Sequence, residues 1–562
     1  MQRNSVPLPW YPKGCSDTLD SSQTFPGAMS ALSNLIPDPS SPDLWQCRPA
    51  SVQIGDITTQ LLGAGFVSTF KVVGSYVYGL VNVANFDQPF CFNLLNKTFV
   101  PVTGVTVNNV PASPAATGPW VPPTMDVVGS KLMVTHPGFG ATAYFIGWFD
   151  LTNPGAPIWN AGNTTGQIQF SLPPTFVAQF NGRAYYIVNL PQQPALVFSD
   201  PLNPTQITNA TQVLTFGDNV FLTALGGLRL YNQAGGIIQG LIVFKGVNNM
   251  YQVTGDSALG TLAVNALNVA TGTLSPLGIA PTKAGLAFIS PDGMRVIDFM
   301  GNVSDPIGND GNGITLPFIY SSQPSRIVMA ASGDVVRIST PTAYQPPIFL
   351  PGPFSYEFDY EFQKATPFPS TGTQEWWYDI PRKIWSGPHT FPASLIQPYQ
   401  NTFIMTPVGV MGSLWQSDPV QNTLSLFVEN GVAMAWAYQT AFLPNTRKMN
   451  NVAMSYATLD MALSASVPAT VASVDPNGVI FDGVTVTTPG SATIWGAFTW
   501  GSALWGAAQS ALLPRQLQWH LPVVFAKMAI SATGQSGSAI KIGALFMRYK
   551  LLRYLTDITA VA

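Results

Sequence analysis

Charge is scarce in this chain. Of 562 residues, 24 are Lys or Arg and 27 are Asp or Glu, only 9% together, against about 25% in an average soluble protein. Four are Glu: Glu357, Glu361, Glu375 and Glu429. A helical bundle or coiled coil, which draws on abundant Glu and Lys, is excluded. The net charge is −3, so the basic surplus of a DNA-reading domain is missing. The three cysteines, Cys15, Cys47 and Cys91, are odd in number and lack CxxC spacing, so they make no disulfide framework. They are expected to be free thiols of a protein made in a reducing cytosol. No run of about 18 apolar residues escapes Pro, Gly or polar breaks, so no transmembrane helix is predicted. The first ten residues also lack the apolar run of a secretory signal.

What is abundant points elsewhere. The chain holds 50 Gly and 49 Pro, is 12% aromatic and 46% apolar. A disordered chain is excluded by that apolar content. So sparsely ionised an exterior on so long a chain is expected to be covered in a symmetric assembly.

The expected fold class is all-β: a propeller-like domain of short antiparallel blades, with additional inserted β domains and an extended N-terminal arm. Residues 1–50 read as the arm, because prolines from Pro7 to Pro49 recur too often for a helix or central strand; a short helix is expected near Met29 to Leu35. Residues 51–340 read as blades. A glycine-containing turn before a β-branched or aromatic run recurs at Gly74, Gly129, Gly182, Gly240, Gly285 and Gly333, roughly 50 residues apart, as propeller blades would place it. Two hairpins are clear. Leu286 to Ser290 faces Met294 to Ile297 across Pro291-Asp292-Gly293, and Leu241 to Lys245 faces Met250 to Val253 across Gly246 to Asn249. Residues 341–400 read as a further blade or insert, 401–515 as a β-rich insert or channel and interface domain, and 516–562 as C-terminal strands closing the ring.

The search for chemistry finds no catalytic, cofactor or metal constellation. In Tyr356 to Phe362 strict alternation puts Glu357, Asp359 and Glu361 on one strand face and four aromatics on the other. Carboxylates two apart on a strand lie about 6.5–7 Å apart. That is within glycosidase range, although one flat strand converges poorly on a bond. His136, His389 and His520 fit neither HExxH nor HxxxH spacing. Neither a Gly-x-Ser-x-Gly elbow nor a phosphate-binding GxxxxGK[ST] loop occurs. Gly308 to Gly313 has a calcium loop's composition without its register and reads as a turn. Trp495, Trp500 and Trp505 each precede a Gly. They could stack sugars or bases, but Ala492 to Leu513 contains no Lys or Arg, and burial at a subunit or domain interface fits them better.

The order of several short motifs carries a resemblance. Phe25-Pro26-Gly27-Ala28-Met29, Ile36-Pro37-Asp38-Pro39 and Arg48-Pro49 are followed by Phe198-Ser199-Asp200-Pro201 with Asn203-Pro204. Then come Gly240 to Lys245 with Met250-Tyr251 and Thr254-Gly255-Asp256, Ile289 to Gly293, and Trp377-Tyr378-Asp379 to Trp385. Together they resemble the tail nozzle proteins (tail tubular protein B) of short-tailed phages. The resemblance is scattered over about 25–390 and does not cover 465–515. It implies a non-enzymatic virion component at the distal end of the tail, made in the host cytoplasm. It implies a ring of six copies, partnered by itself, by an adaptor ring and by fibres or a spike, with genomic double-stranded DNA passing without sequence recognition. No cofactor is implied. On this resemblance Glu357, Asp359 and Glu361 face either the channel, where they would repel phosphates, or bulk water. The competing expectations are a receptor- or carbohydrate-binding fibre protein and a β-propeller glycosidase.

Overall fold

The computed structural model describes residues 6–10, 13–17, 27–38, 41, 43–106, 109–113, 121–141, 146–162, 170, 172–231, 236–256, 259–308, 313–319, 321, 323–340, 373–417, 428–441, 452–462, 469–474, 480–486, 513–525, 529–535 and 541–551. The fold is all-β and propeller-like. Among the described residues, seven antiparallel sheets follow one another from 52 to 417. Blade 1 is Ala64–Val73, Tyr76–Val83, Phe86–Asn93 and Thr98–Val100. Blades 2, 3 and 4 repeat the four-strand plan from Thr124–Val128, Phe176–Phe180 and Leu222–Tyr231. Blade 5, from Ile279–Thr282, has three strands, and blade 6 starts at Val328–Ser332. Blade 7 is Ala393–Tyr399, Thr402–Pro407 and Ser413–Ser417, completed by Val52–Asp56 from the other end of the chain. The first strand of each blade packs beside the first strand of the next, and that of blade 7 beside that of blade 1, so the ring closes.

The sequence builds blades because its strands are mostly short and ended by tight turns, and the inner ones are apolar on both faces. In blade 1, Tyr78 and Leu80 enter the core shared with blade 2, while Val77 and Val81 enter the core shared with blade 7. Period-2 alternation thus feeds two cores from one strand. Among the described residues seven buried apolar clusters result, one at each junction of adjacent blades, and the one between blades 5 and 6 extends into the segments outside the ring. The first turn of a blade often needs positive φ: Gly74, Gly129 and Gly333 sit first in two-residue turns at φ 58°, 62° and 61°, a place where glycine carries no Cβ penalty. Gly240 departs from the expected series. It lies inside Ile237–Lys245, paired with Leu228 and Thr254, because the first hairpin of blade 4 is longer than its neighbours'. Both expected hairpins form as read.

Among the described residues, two six-stranded sheets lie outside the ring, built from both the N- and C-terminal parts of the sequence. One joins Gly14–Cys15, Ala28–Ser33, Ala435–Thr440, Ala529–Gln535, Ala469–Val474 and Ile480–Val486. In the other, Lys541–Leu551 pairs with Val452–Ala462, Val6–Trp10 and Trp45–Cys47. Two expectations are corrected here. Met29 to Leu35 is not helical: Ala28–Ser33 and Leu35–Pro37 are strands, and Asn34 at φ 56° turns the chain between them. The ring is closed by Val52–Asp56 and not by 516–562, whose strands are divided between the two sheets outside the ring. The N-terminal segment is built into the fold: Cys15, Met29, Leu32, Trp45 and Cys47 are buried in the largest core with Trp376 and Trp385 of blade 6 and Trp436 and Ile530 from the C-terminal part.

Candidate functional site

The first strands of all seven blades enclose an axial cavity of about 480 Å³. That size suits a small ligand; a nucleic-acid duplex would have to pass outside the propeller. Phe70, Val72, Met125, Phe176, Leu225 and Leu277 give the shaft an apolar wall. Its charged residues are Lys71 of blade 1 and Asp126 of blade 2, paired at 3.3 Å and both partly exposed. The second Asp126 oxygen accepts the backbone N–H of Gln179 from blade 3 at 2.7 Å. One carboxylate therefore ties three blades at the end of the shaft near the first turns.

A second polar constellation is buried where the chain ends meet blades 6 and 7. Arg48 donates from both terminal nitrogens to Glu429, at 2.7 and 2.6 Å, and also to Asn34 Oδ1 and the Thr390 carbonyl, each at 2.8 Å. Glu429 further accepts the Ser51 N–H at 2.8 Å. Burial alone would lower the Arg48 pKa, but the Glu429 carboxylate holds it above the ordinary value. Arg337 donates to Glu375 at 2.7 Å and lies over the Trp377 ring at 4.8 Å. There burial prevails over Glu375 and the Arg337 pKa is lowered. His389 feels both guanidinium charges and accepts the Asn34 N–H on Nδ1 at 3.0 Å. Burial first, then the two guanidinium charges, hold its pKa well below normal, so the ring is neutral.

A third buried group joins blades 1 and 2. Asp87 is 2.7 Å from His136 Nε2 and accepts the Ser113 hydroxyl at 2.7 Å. His136 Nδ1 accepts the Gly138 N–H at 2.8 Å, so the Nε2 proton points at Asp87. Burial raises the Asp87 pKa, but its contact with His136 and the bond from Ser113 outweigh it and the net shift is downward. The carboxylate lies between the hydroxyl and the imidazole, the reverse of a nucleophile–base–orienter relay.

The structure therefore brings together residues that sequence reading passed over. Arg48, Arg337, Glu375 and Glu429 had one available signal: in a chain with four glutamates, each must have a reason to be there. Glu357, Asp359 and Glu361 fall between Val335–Thr340 and Gln374–Asp379, outside the described residues; Trp495, Trp500 and Trp505, and residues 309–312 of the stretch expected to turn, also fall outside them. His136 and His389 are buried in the networks above. Among the described residues, no group of three or more His, Cys, Asp or Glu is placed to hold a metal ion, and no helix is long and apolar enough to cross a membrane.

No protein-family model matches the chain, and no curated protein matches it. Solved structures do show likeness. Puromycin hydrolase is 11% identical over 70% of this chain and 61% of its own, with TM-score 0.36. A glycoside hydrolase family 43 arabinoxylan arabinofuranohydrolase from Bacillus subtilis is 9% identical over 90% and 99%, with TM-score 0.24. Sqt1 of Saccharomyces cerevisiae is 8% identical over 75% and 100%, with TM-score 0.37. At these scores the likeness carries no argument about activity. One expectation is nonetheless corrected. The chain was expected not to be an enzyme, yet two of these three structures are hydrolases by name. One fold hosts both enzymes and non-enzymes, so the absence of sequence motifs does not exclude catalysis.

Proposed function

We propose that this β-propeller chain is a structural component of a short-tailed phage tail, of the tail nozzle kind, in which a ring of copies surrounds the exit path of the genome. The observation that carries the reading is an uncovered apolar exterior on a chain that is only 9% charged. Leu62, Leu202, Leu259 and Met411 are 88%, 77%, 76% and 69% exposed. Single exposed apolar side chains are ordinary, but many of them on a surface with little charge favour association. The ordered motifs that resemble the nozzle family support the same reading. Several shape blade corners: Asp200 and Asn203 form a bridge at the corner of blade 3, and Pro291-Asp292 turns blade 5. Neighbouring copies, an adaptor ring and fibres would cover the apolar patches, and DNA would run along the ring axis between subunits.

Mass photometry of the purified chain, alone and with an adaptor ring, tests the proposal. A ring of six, or a monomer that assembles only on the adaptor, supports it. A stable trimer favours a fibre protein instead, because fibres usually trimerise.

A further inference from the structure

Beside the axial cavity, between blades 3, 4 and 5, lies a second concavity of about 520 Å³. It exists because blade 4 is built differently. Its first two strands, Leu222–Tyr231 and Ile237–Lys245, have 10 and 9 residues, whereas those of blade 3, Phe176–Phe180 and Arg183–Val188, have 5 and 6. The longer hairpin forms one wall. Alternation along it buries Leu228 and Leu230 and leaves Gly227, Arg229 and Tyr231 exposed, all lining the concavity. Across the hairpin Arg229 is in register with Gln239 and Tyr231 with Ile237. Gln179 of blade 3 lines the opposite side.

The Tyr231 ring is held in place while the Arg229 cation is uncommitted. The Tyr231 ring meets Phe299 edge-on at 6.1 Å, and its backbone N–H donates to the Phe299 carbonyl at 2.8 Å. Among the described residues the Arg229 guanidinium has no carboxylate partner, unlike Lys71 of the axial cavity, which is paired with Asp126. At Gly227 an added Cβ would meet nothing within 4 Å, so the floor is open where a ligand would approach the backbone. A forked cation matches a carboxylate. An exposed aromatic face takes the apolar side of a sugar ring. Two side-chain amides, Gln179 and Gln239, can each donate to and accept from hydroxyls. A neutral sugar would leave Arg229 unmatched, and a bare inorganic anion would leave the ring and amides unused.

We propose that this concavity is a binding site for an acidic saccharide, with Arg229 on the carboxylate, Tyr231 against the ring and Gln179 and Gln239 on the hydroxyls. The site stands independently of the tail reading, since it needs no second copy. Isothermal titration calorimetry of the full chain tests it, with trigalacturonate as probe and with a neutral galactose trisaccharide and inorganic phosphate as comparisons. Expected is saturable binding of trigalacturonate that exceeds both. Arg229→Gln should weaken it about tenfold or more, as loss of a charged hydrogen bond does, and Gly227→Leu should fill the floor and abolish it. Both positions are exposed, and unchanged thermal midpoints would show that the variants fold. Failure of trigalacturonate to bind the wild-type chain, equal binding of the neutral trisaccharide or of phosphate, or binding unaltered in both variants would each overturn the proposal.

Discussion

Replacing Arg48 with Met keeps the bulk of the side chain and removes its charge, so the change is felt as polar loss and not as a cavity. In the wild-type protein Arg48 makes two bonds to Glu429, one to Asn34, one to the Thr390 carbonyl and one to the Pro49 carbonyl at 3.0 Å. Arg48→Met leaves the Glu429 carboxyl buried without its cation and bonded to the Ser51 N–H. Breaking a buried pair on one side costs about 3–5 kcal/mol. The double variant Arg48→Met/Glu429→Leu removes the stranded carboxyl and should recover more than half of that, with a coupling of about 1–3 kcal/mol between the sites. Global unfolding of two β units is not a two-state process, so the assay is native-state hydrogen exchange at the paired strands Ala28–Ser33 and Ala435–Thr440. The single variant should exchange there on the order of a hundred- to thousandfold faster. Blades 2 to 4, which lie away from Arg48, should be unaltered. A single variant within about 1 kcal/mol of wild type, or a double variant no slower to exchange than the single, would refute the reasoning that this pair latches the chain ends together.

Other expectations follow from the same physics. Asp87 has a lowered pKa in the fold, so its stabilisation is present above the ordinary carboxylate pKa and is lost as pH falls through the folded value. Asp87→Asn should therefore lower the thermal midpoint at neutral pH and flatten its decline between about pH 5 and 3; a parallel decline in both proteins would contradict this. Gly74→Ala meets open space at φ 58° and should cost about 1–2 kcal/mol. Gly79→Ala places a Cβ 2.5 Å from the Phe90 ring and 2.7 Å from the Thr69 carbonyl and should cost distinctly more, as chemical denaturation of the two variants would measure. A chain beginning at residue 57 lacks Val52–Asp56 and exposes the edge of Ser413–Ser417. It should aggregate in light scattering, and a stable, dispersed product would show that the closing strand is dispensable.

Local turn chemistry was legible because a two-residue turn writes itself into adjacent residues. Gly74, Gly129 and Gly333 therefore marked three blades correctly, and the Asn181-Gly182 turn, with φ 48° and 71°, marked a fourth. Blade 7 was hidden because it turns at Gln400, with φ 52°, and borrows its last strand from residues 52–56. Nothing local in a sequence announces such a partner. The N-terminal strands were misread for the same reason. Pro-rich composition argued against central strands there, while the partners that make them strands lie some 400 residues on, as Leu32 opposite Tyr438 illustrates. The buried networks were illegible because Arg48 and Glu429 become neighbours only through the fold. The groove beside Tyr231 depends on the length of one hairpin relative to its neighbours, which alternation alone does not reveal.

The most direct measurement is electron cryo-microscopy of virions that carry this chain. Expected is a ring of seven-bladed propellers at the distal end of a short tail, with the exposed Leu62, Leu202 and Met411 covered by neighbouring protein and the DNA path running between subunits. Absence of the chain from the particle, or its presence as a fibre trimer away from that end, would contradict the tail reading.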